Sequence, residues 1–151
     1  RRCGRYLRGT TETWLKLVPK RGADGKAQLV CYSDSDYAGD HATRRSVTCA
    51  WVELDGVPLV AYARQQSLVA TSTAEAEFYA MIEAVIRTKG LLSAVEEMGY
   101  PKGKSIRLYT DSSAAKSFVS RRGLGKMRHL EFRDLWLQRE SRTWKGGCYE
   151  S

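Results

Sequence analysis

The sequence predicts an α/β domain in which helices pack on a mixed central sheet. β-rich runs begin at residues 28, 46 and 105, and a long helical pattern separates the second from the third. This order, a strand, a hairpin, a helix and a further strand, is typical of a helix that crosses a sheet. A length of 151 residues allows one sizeable hydrophobic core and is too short for two cores of that size.

The strands are predicted from short apolar runs that end at polar residues. The first is "QLVCYSD", residues 28–34, and the last is "SIRLYTD", residues 105–111. Residues 46–64 form two β-rich runs joined at Asp55-Gly56, a strong hairpin signal. Trp51 lies inside the first of these runs, and we predict that it belongs to the core because aromatic residues at strand spacing usually do.

The long helix is predicted from Thr73 to about Met98. Ser72 is followed three residues later by Glu75, which is the pattern of a capping box, and Gly99 and Pro101 mark the exit. Apolar residues recur at three- and four-residue steps and predict one buried stripe. The stripe consists of Phe78, Met81, Ile82, Val85 and Ile86.

Further elements are predicted at both ends of the chain. Residues 5–17 open as a basic helical end that breaks at Gly9, and residues 19–26 form a charged, turn-rich connection. Two more helices are expected at residues 112–120 and 128–141, with Phe132 and Trp136 in the core. Residues 146–151 resemble the opening of a strand.

The net charge of +8 is unevenly distributed. Residues 1–26 and 104–151 each carry a net charge of +6, whereas residues 27–103 carry −4. Basic flanks around an acidic centre suit a polyanion held near a cation site. A solvated basic surface without a ligand is the alternative interpretation.

The cysteines and the apolar runs limit the classes of protein to which the chain can belong. None of the four cysteines forms a C-x-x-C pair, and two histidines cannot complete a zinc-finger pattern. Free thiols indicate a reducing compartment, with Cys31 and Cys49 as small core residues. There is no signal-peptide pattern, no run approaches the ~20 residues that span a membrane, and the first residue is Arg; we therefore expect a piece of a longer, non-membrane protein.

Three carboxylates occupy positions where chemistry is expected. Asp34 and Asp111 each end a predicted strand, and Glu77 lies one turn inside the long helix. Strand ends that face a helix start can converge on one sheet edge, and clustered carboxylates suit Mg²⁺. The alternative is that acids after strands are turn or cap residues, which is how we interpret Asp36, Asp40 and Glu75.

Five segments together carry a resemblance to a known family. "YSDSDYAGDHATRRS", "RQQSLVATSTAEAEFYAMIEA", "LYTDSSAAKSF" and "KMRHLEFRDLWLQRE" resemble, in this order, the ribonuclease H domain of copia-type retrotransposon polyproteins. The preceding "RYLRGT" resembles the last helix of the adjoining reverse transcriptase segment. The resemblance implies two parts: residues 1–27 as the tail of that segment with a linker, and residues 28–151 as a ribonuclease H-like domain.

The resemblance implies a metal site. The metal-binding and catalytic carboxylates of the family match Asp34, Glu77 and Asp111, with Asp36 as the alternative to Asp34. The cofactor implied is a pair of Mg²⁺ ions, or Mn²⁺ in their place. The family carries a fourth carboxylate in a helix after the last strand, and no residue here matches it, so we expect the domain to be incomplete at its C-terminus.

The resemblance also implies a nucleic-acid surface. The substrate would be an RNA–DNA hybrid, contacted through phosphates and RNA 2′-hydroxyls. For Ser112 the alternative is a helix cap, and Tyr32, Tyr37 and Tyr109 are expected to wall the site. The candidate contacts are Arg44, Arg45, Arg64, Gln66, Ser112, Arg121, Arg122, Lys126 and Arg128.

Three functions are compatible with these observations. The first is a metal-dependent endoribonuclease that acts during reverse transcription, beside the reverse transcriptase segment and in an intracellular compartment, cytoplasmic or nuclear. The second is a non-catalytic module that binds hybrid or supports the reverse transcriptase. The third is another nuclease or strand-transfer enzyme of the same fold.

Overall fold

Four strands and three helices make up the described part of the molecule. The structure is a computed structural model that describes residues 2–20, 28–99 and 105–120. In chain order the elements are α1 (Arg2–Gly9), β1 (Gln28–Asp36), β2 (Val47–Leu54), β3 (Val57–Gln65), α2 (Thr73–Glu97), β4 (Ser105–Tyr109) and α3 (Ser113–Ser120).

The strands form a mixed sheet in the order β3-β2-β1-β4. The pairs β1–β2 and β2–β3 are antiparallel, and β1 runs parallel to β4. A parallel pair needs a crossover connection, and α2 provides it by packing across β1, β2 and β4. The predicted α/β class is confirmed, and the order is consistent with the ribonuclease H-like fold implied by the motifs.

The β2–β3 hairpin turns at the predicted pair. Asp55 and Gly56 both have positive φ, 52° and 78°, which is the backbone geometry of a type I′ turn. The Asp55 side chain is buried, and its Oδ1 accepts a hydrogen bond from the backbone N–H of Gln28 at 2.8 Å. The turn residue therefore also ties the hairpin to the start of β1.

Helix α2 begins at the predicted cap. The hydroxyl of Ser72 accepts a hydrogen bond from the backbone N–H of Glu75 at 3.2 Å. The Glu75 carboxylate accepts hydrogen bonds from the backbone N–H and the hydroxyl of Thr71, both at 2.7 Å, and from the Tyr79 hydroxyl at 2.9 Å. Glu75 is thus a buried structural acid that reaches one residue further back than a capping box requires.

The core lies between α2 and one face of the sheet. Phe78, Met81, Ile82 and Val85 are buried there, but Ile86 is 53% exposed, so the predicted stripe is wrong at its last member. Successive helical residues are about 100° apart, which turns Ile86 away from the face that Val85 buries. The sheet side of the core is formed by Leu29, Cys31, Val52, Leu54, Ile106 and Leu108.

The opposite face of the sheet carries an aromatic row. Tyr32 pairs with Trp51 across β1–β2 and with Tyr109 across β1–β4, and the two tyrosine rings stack at 5.2 Å. The prediction that Trp51 belongs to the core is wrong, since its side chain is 41% exposed. Side chains alternate across a strand, and α2 covers the face to which Ala50 and Val52 point.

Several predictions lie outside the described residues. These are most of the connection before β1, the helix at residues 128–141 with Phe132 and Trp136, and the strand start at residues 146–151. In the ranges that are described, no helix has the length and apolar character needed to cross a bilayer.

Candidate metal centre

Three elements each contribute one carboxylate to a cluster at the sheet edge. Asp34 lies in β1, two residues before the strand ends, so the strand is longer than predicted. Glu77 lies near the start of α2, and Asp111 follows β4 by two residues. One carboxylate oxygen of each lies within 4.8 Å of the others. Because β1 and β4 are parallel, their C-terminal ends reach the same edge.

The three acids differ in their exposure to solvent. Glu77 is 5% exposed, whereas Asp34 and Asp111 are both exposed. The cluster therefore has one buried carboxylate that faces the core and two that face solvent. This arrangement leaves an open side through which a ligand could approach.

Ser35 organises two of these carboxylates. Its backbone N–H donates to Asp34 Oδ1 at 2.8 Å and to Glu77 Oε1 at 3.2 Å, and its hydroxyl donates to the same Oε1 at 2.7 Å. The other oxygen of Glu77, Oε2, is buried and has no hydrogen-bond partner within the described ranges. The sequence analysis missed Ser35, although strand alternation from Leu29, Cys31 and Ser33 places it on the face toward α2.

The electrostatics of the cluster follow from this geometry. Burial raises the pKa of Glu77 above its ordinary value, and the hydrogen bonds from Ser35 lower the pKa part of the way back. The charges of Asp34 and Asp111 raise the pKa further, because a third negative charge is unfavourable beside two others. A buried carboxylate with an unsatisfied oxygen and two acidic neighbours is stabilised by a cation.

The residues fit a hard divalent cation. Carboxylate oxygens are the ligands that Mg²⁺, Mn²⁺ and Ca²⁺ take in proteins. Two oxygens on opposite sides of one Mg²⁺ are about 4.2 Å apart, since each bond is 2.0–2.1 Å long. The limit of 4.8 Å among the three acids is close to that span. The cluster could therefore bind a metal ion with little rearrangement.

Asp36, the alternative to Asp34, does not belong to this cluster. Its exposed carboxylate lies over the backbone of Gly39, where an added Cβ would collide with it. Glycine at position 39 thus makes room for the Asp36 side chain. Asp34 and Glu77 therefore belong to the cluster, whereas Asp36 lies against Gly39 and Glu75 accepts hydrogen bonds from Thr71.

Asp40 is a turn acid, as predicted. It accepts hydrogen bonds from the backbone N–H of Ala42 and from the Thr43 hydroxyl, at 2.9 and 2.6 Å, and from Gln65 Nε2 at 2.6 Å. These donors, with that of Thr43 first, lower the pKa of Asp40 to about 2. The hydrogen bond from Gln65 also joins the β1–β2 connection to the end of β3.

The arginines predicted to contact nucleic acid lie around this connection. Arg44 is exposed and adopts a positive φ of 57°, and Arg45 is partly buried beside it. Arg64 is exposed near the end of β3 and lies 3.9 Å from Glu83. The remaining basic candidates, Arg121, Arg122, Lys126 and Arg128, lie outside the described residues.

Two polar candidates have structural partners. Gln66 is 5% exposed, and its Nε2 donates to the Thr48 hydroxyl at 3.0 Å and to the Ala76 carbonyl at 2.9 Å. In this conformation the side chain joins β2 to α2 inside the domain and is shielded from the surface where nucleic acid would bind. The hydroxyl of Ser112 accepts from the Ala115 N–H at 3.1 Å and caps α3, which was the alternative interpretation.

Two of the three tyrosines expected beside the acids, Tyr32 and Tyr109, lie at the same edge of the sheet. Tyr32, two residues before Asp34, stacks on Tyr109, two residues before Asp111, with an angle of 18° between the ring planes. A shallow pocket lies next to them and is lined by residues of β1 and β2, including Asp34 and Trp51.

The fold and the site together define a class: an α/β domain with a mixed sheet and a candidate metal centre built from three carboxylates. A retrovirus-related Pol polyprotein from transposon TNT 1-94 of Nicotiana tabacum is 32% identical over 136 residues, 89% of this chain. The chain is therefore a homologue of a segment of a transposon-encoded Pol polyprotein. This finding confirms the resemblance to a retrotransposon polyprotein that the motifs carry.

Other comparisons cover different parts of the chain. A secreted RxLR effector protein, number 161, of Plasmopara viticola is 38% identical over 80 residues, which is 53% of this chain. A foamy viral protease–reverse transcriptase in complex with double-stranded DNA aligns with 98% of this chain and 25% of its own, at 13% identity and a TM-score of 0.47. No family model matches. The chain spans 10% of the polyprotein and 54% of the effector.

Proposed function

We propose that residues 28–151 form the ribonuclease H domain of a retrotransposon Pol polyprotein, which hydrolyses the RNA strand of RNA–DNA hybrids in a metal-dependent reaction. The observation that carries the proposal is the convergence of Asp34, Glu77 and Asp111 from three separate elements. The similarity to a transposon-encoded Pol polyprotein supports the context in which such an activity is used.

The residues of the cluster have different roles in this proposal. When bound, Mg²⁺ or Mn²⁺ would supply an activated water and stabilise charge on the leaving oxygen of a phosphodiester. Glu77 would hold the cations from the buried side, because its Oε2 has no other partner among the described residues. Asp34 and Asp111 would hold them from the solvent side, where the substrate phosphate can approach.

The basic residues near the cluster would bind the hybrid. Arg44 and Arg64 are exposed on neighbouring segments, and the hydrogen bond between Asp40 and Gln65 holds those segments together. Their charges would neutralise backbone phosphates, consistent with the net charge of +8.

The exposed N-terminal segment is consistent with a second partner, the adjoining reverse transcriptase. Helix α1 has no buried residues, and Trp14, which follows it, is 91% exposed. Large exposed apolar side chains are typical of a surface that packs against another protein. In this proposal residues 1–27 are the tail of the reverse transcriptase segment with its linker, and the exposed apolar side chains of residues 2–20 pack on the rest of that segment, in an intracellular compartment.

The test is cleavage of an RNA–DNA hybrid with a labelled RNA strand in Mg²⁺. Asp34→Asn and Asp111→Asn should each reduce the rate by more than the roughly 10–100-fold that changes outside the ligand set cost. Asp36→Asn is the matched control, because it removes the same charge from the same strand outside the cluster. Circular dichroism should show that all three variants retain the fold.

Three outcomes would overturn the proposal. Cleavage that survives both substitutions would remove the cluster from the reaction. Binding of hybrid in EDTA, with no cleavage after Mg²⁺ is added to the unmodified chain, would identify a non-catalytic module instead. Preference for duplex DNA over hybrid would indicate another nuclease or a strand-transfer enzyme of this fold.

A further inference from the structure

Glu77 has two carboxylate oxygens in different surroundings. Oε1 accepts two hydrogen bonds, both from Ser35, whereas the buried Oε2 has no hydrogen-bond partner in the described part of the chain. A free carboxylate in water is symmetric, so the difference is created by the protein, which donates to Oε1 from Ser35 and buries Oε2. The buried end of the candidate metal centre therefore offers one oxygen already satisfied by the protein and one available to a ligand.

The side chain at position 35 makes the stronger of the two contacts. Any residue except proline would supply the backbone N–H there, which is shared between Asp34 Oδ1 and Glu77 Oε1 at 2.8 and 3.2 Å. The hydroxyl contact is shorter, at 2.7 Å, and depends on serine. A hydroxyl that donates to a carboxylate is a charge-assisted hydrogen bond, which is roughly twice as strong as a neutral one.

We propose that Ser35 is a positioning residue of the metal centre: its hydroxyl holds Glu77 by Oε1 and so presents Oε2 as the oxygen that binds the cation. Ser35 itself contacts no ion in this role. Without the hydroxyl, the Glu77 side chain can rotate between orientations, and only a fraction of them presents Oε2. Metal affinity then falls by that fraction. This proposal rests on the metal site of the proposed function.

The chain provides a matched control for this role. Ser33 lies two residues earlier on β1, on the same face of the sheet, and is buried, whereas Ser35 is partly buried. Its hydroxyl has no hydrogen-bond partner among the described residues. Ser33→Ala therefore removes the same group from the same strand without touching the carboxylates.

The experiment is calorimetric titration of the chain with Mn²⁺ in the absence of nucleic acid. Ser35→Ala should weaken Mn²⁺ binding by about 10-fold, as outer-shell substitutions do. Ser35→Thr, which keeps a hydroxyl, should bind Mn²⁺ more tightly than Ser35→Ala does, and Ser33→Ala should leave the affinity of the unmodified chain unchanged. Melting in EDTA gives the stability of each variant separately. If Ser35→Ala does not fold, Ser35→Cys, which keeps the size of the side chain and replaces the hydroxyl with a weak donor, carries the same test.

The results separate the two proposals. If the unmodified chain does not bind Mn²⁺, the metal site of the proposed function fails. If it binds Mn²⁺ and Ser35→Ala binds equally well, only the role of Ser35 fails. Equal losses of affinity in Ser35→Ala and Ser35→Thr, or in Ser33→Ala, would also overturn it, because they would show sensitivity to strand packing rather than to the hydroxyl.

Discussion

Asp40 and Glu77 lie at the same edge of the sheet, but their surroundings shift the pKa values of the two carboxyl groups in opposite directions. Asp40 is partly buried and surrounded by donors from Thr43, Ala42 and Gln65, which lower its pKa to about 2. Glu77 is buried, has donors for only one oxygen among the described residues, and has a raised pKa. A structural acid has its charge satisfied by its own chain, whereas a ligand acid is left incomplete and needs a partner.

The largest effect that tests this contrast is the response of stability to a divalent cation. A ligand present at 100 times its Kd stabilises the folded state by about 2.7 kcal/mol. For a chain of 151 residues this corresponds to a rise in Tm of roughly 5–10 °C. Mn²⁺ should produce such a rise in the unmodified protein and in Asp40→Asn, and none in Glu77→Gln.

The Tm of each variant is measured by differential scanning calorimetry, with Mn²⁺ and with EDTA. Asp40→Asn is the control, since it changes an acid at the same sheet edge outside the cluster. A rise in Tm that persists in Glu77→Gln would mean that Mn²⁺ binds elsewhere. Glu77 would then not be a metal ligand, and it would not differ from Asp40 in that respect.

The next effect is a gain in stability when Glu77 loses its charge. At neutral pH without metal, Glu77→Gln should melt higher than the unmodified protein, by about 2–4 °C for each kcal/mol gained. Glutamine keeps an oxygen that can accept from Ser35 and removes the repulsion from Asp34 and Asp111. Thermal melts in EDTA measure this difference.

The pH dependence of the same difference has a defined sign. The pKa of Glu77 is raised in the folded state above its ordinary value of 4.5, so the folded protein holds this proton more tightly than the unfolded chain does. The contribution is fully present below pH 4.5 and is lost as the pH rises through the raised pKa. Glu77→Gln should therefore gain its advantage only above pH 4.5, and an advantage independent of pH would contradict the assignment.

The smallest effect is local and concerns Asp40. Because its pKa is lowered from 3.8 to about 2, its hydrogen bonds contribute above pH 3.8 and are lost as the pH falls through about 2. Amide resonances of Ala42 and Thr43 should report this loss in NMR titrations, with little change in Tm. In Asp40→Ala the same resonances should be shifted at every pH. Resonances that move near pH 4 would mean that the donors do not hold the carboxylate.

The sequence predicted much of the fold because local interactions decide where elements begin and end. The Asp55-Gly56 turn and the Ser72 cap each depend on residues within a few positions, and both are confirmed. The errors concern which side of an element is covered. Ile86 and Trp51 are both apolar enough for a core. Ile86 lies on the side of α2 that faces away from the sheet, and Trp51 lies on the face of the sheet that α2 does not cover.

For the candidate site, the sequence by itself determined which residue types were available: carboxylates at two strand ends and near a helix start, and basic residues around them. The resemblance of the motifs pointed to residues 34, 77 and 111, but only the tertiary structure brings them together, because they are separated by dozens of positions and become neighbours through the β1–β4 pairing and the packing of α2. The role of Ser35 also belongs to the tertiary structure. Its hydroxyl has a partner 42 residues away, and no local pattern encodes that contact.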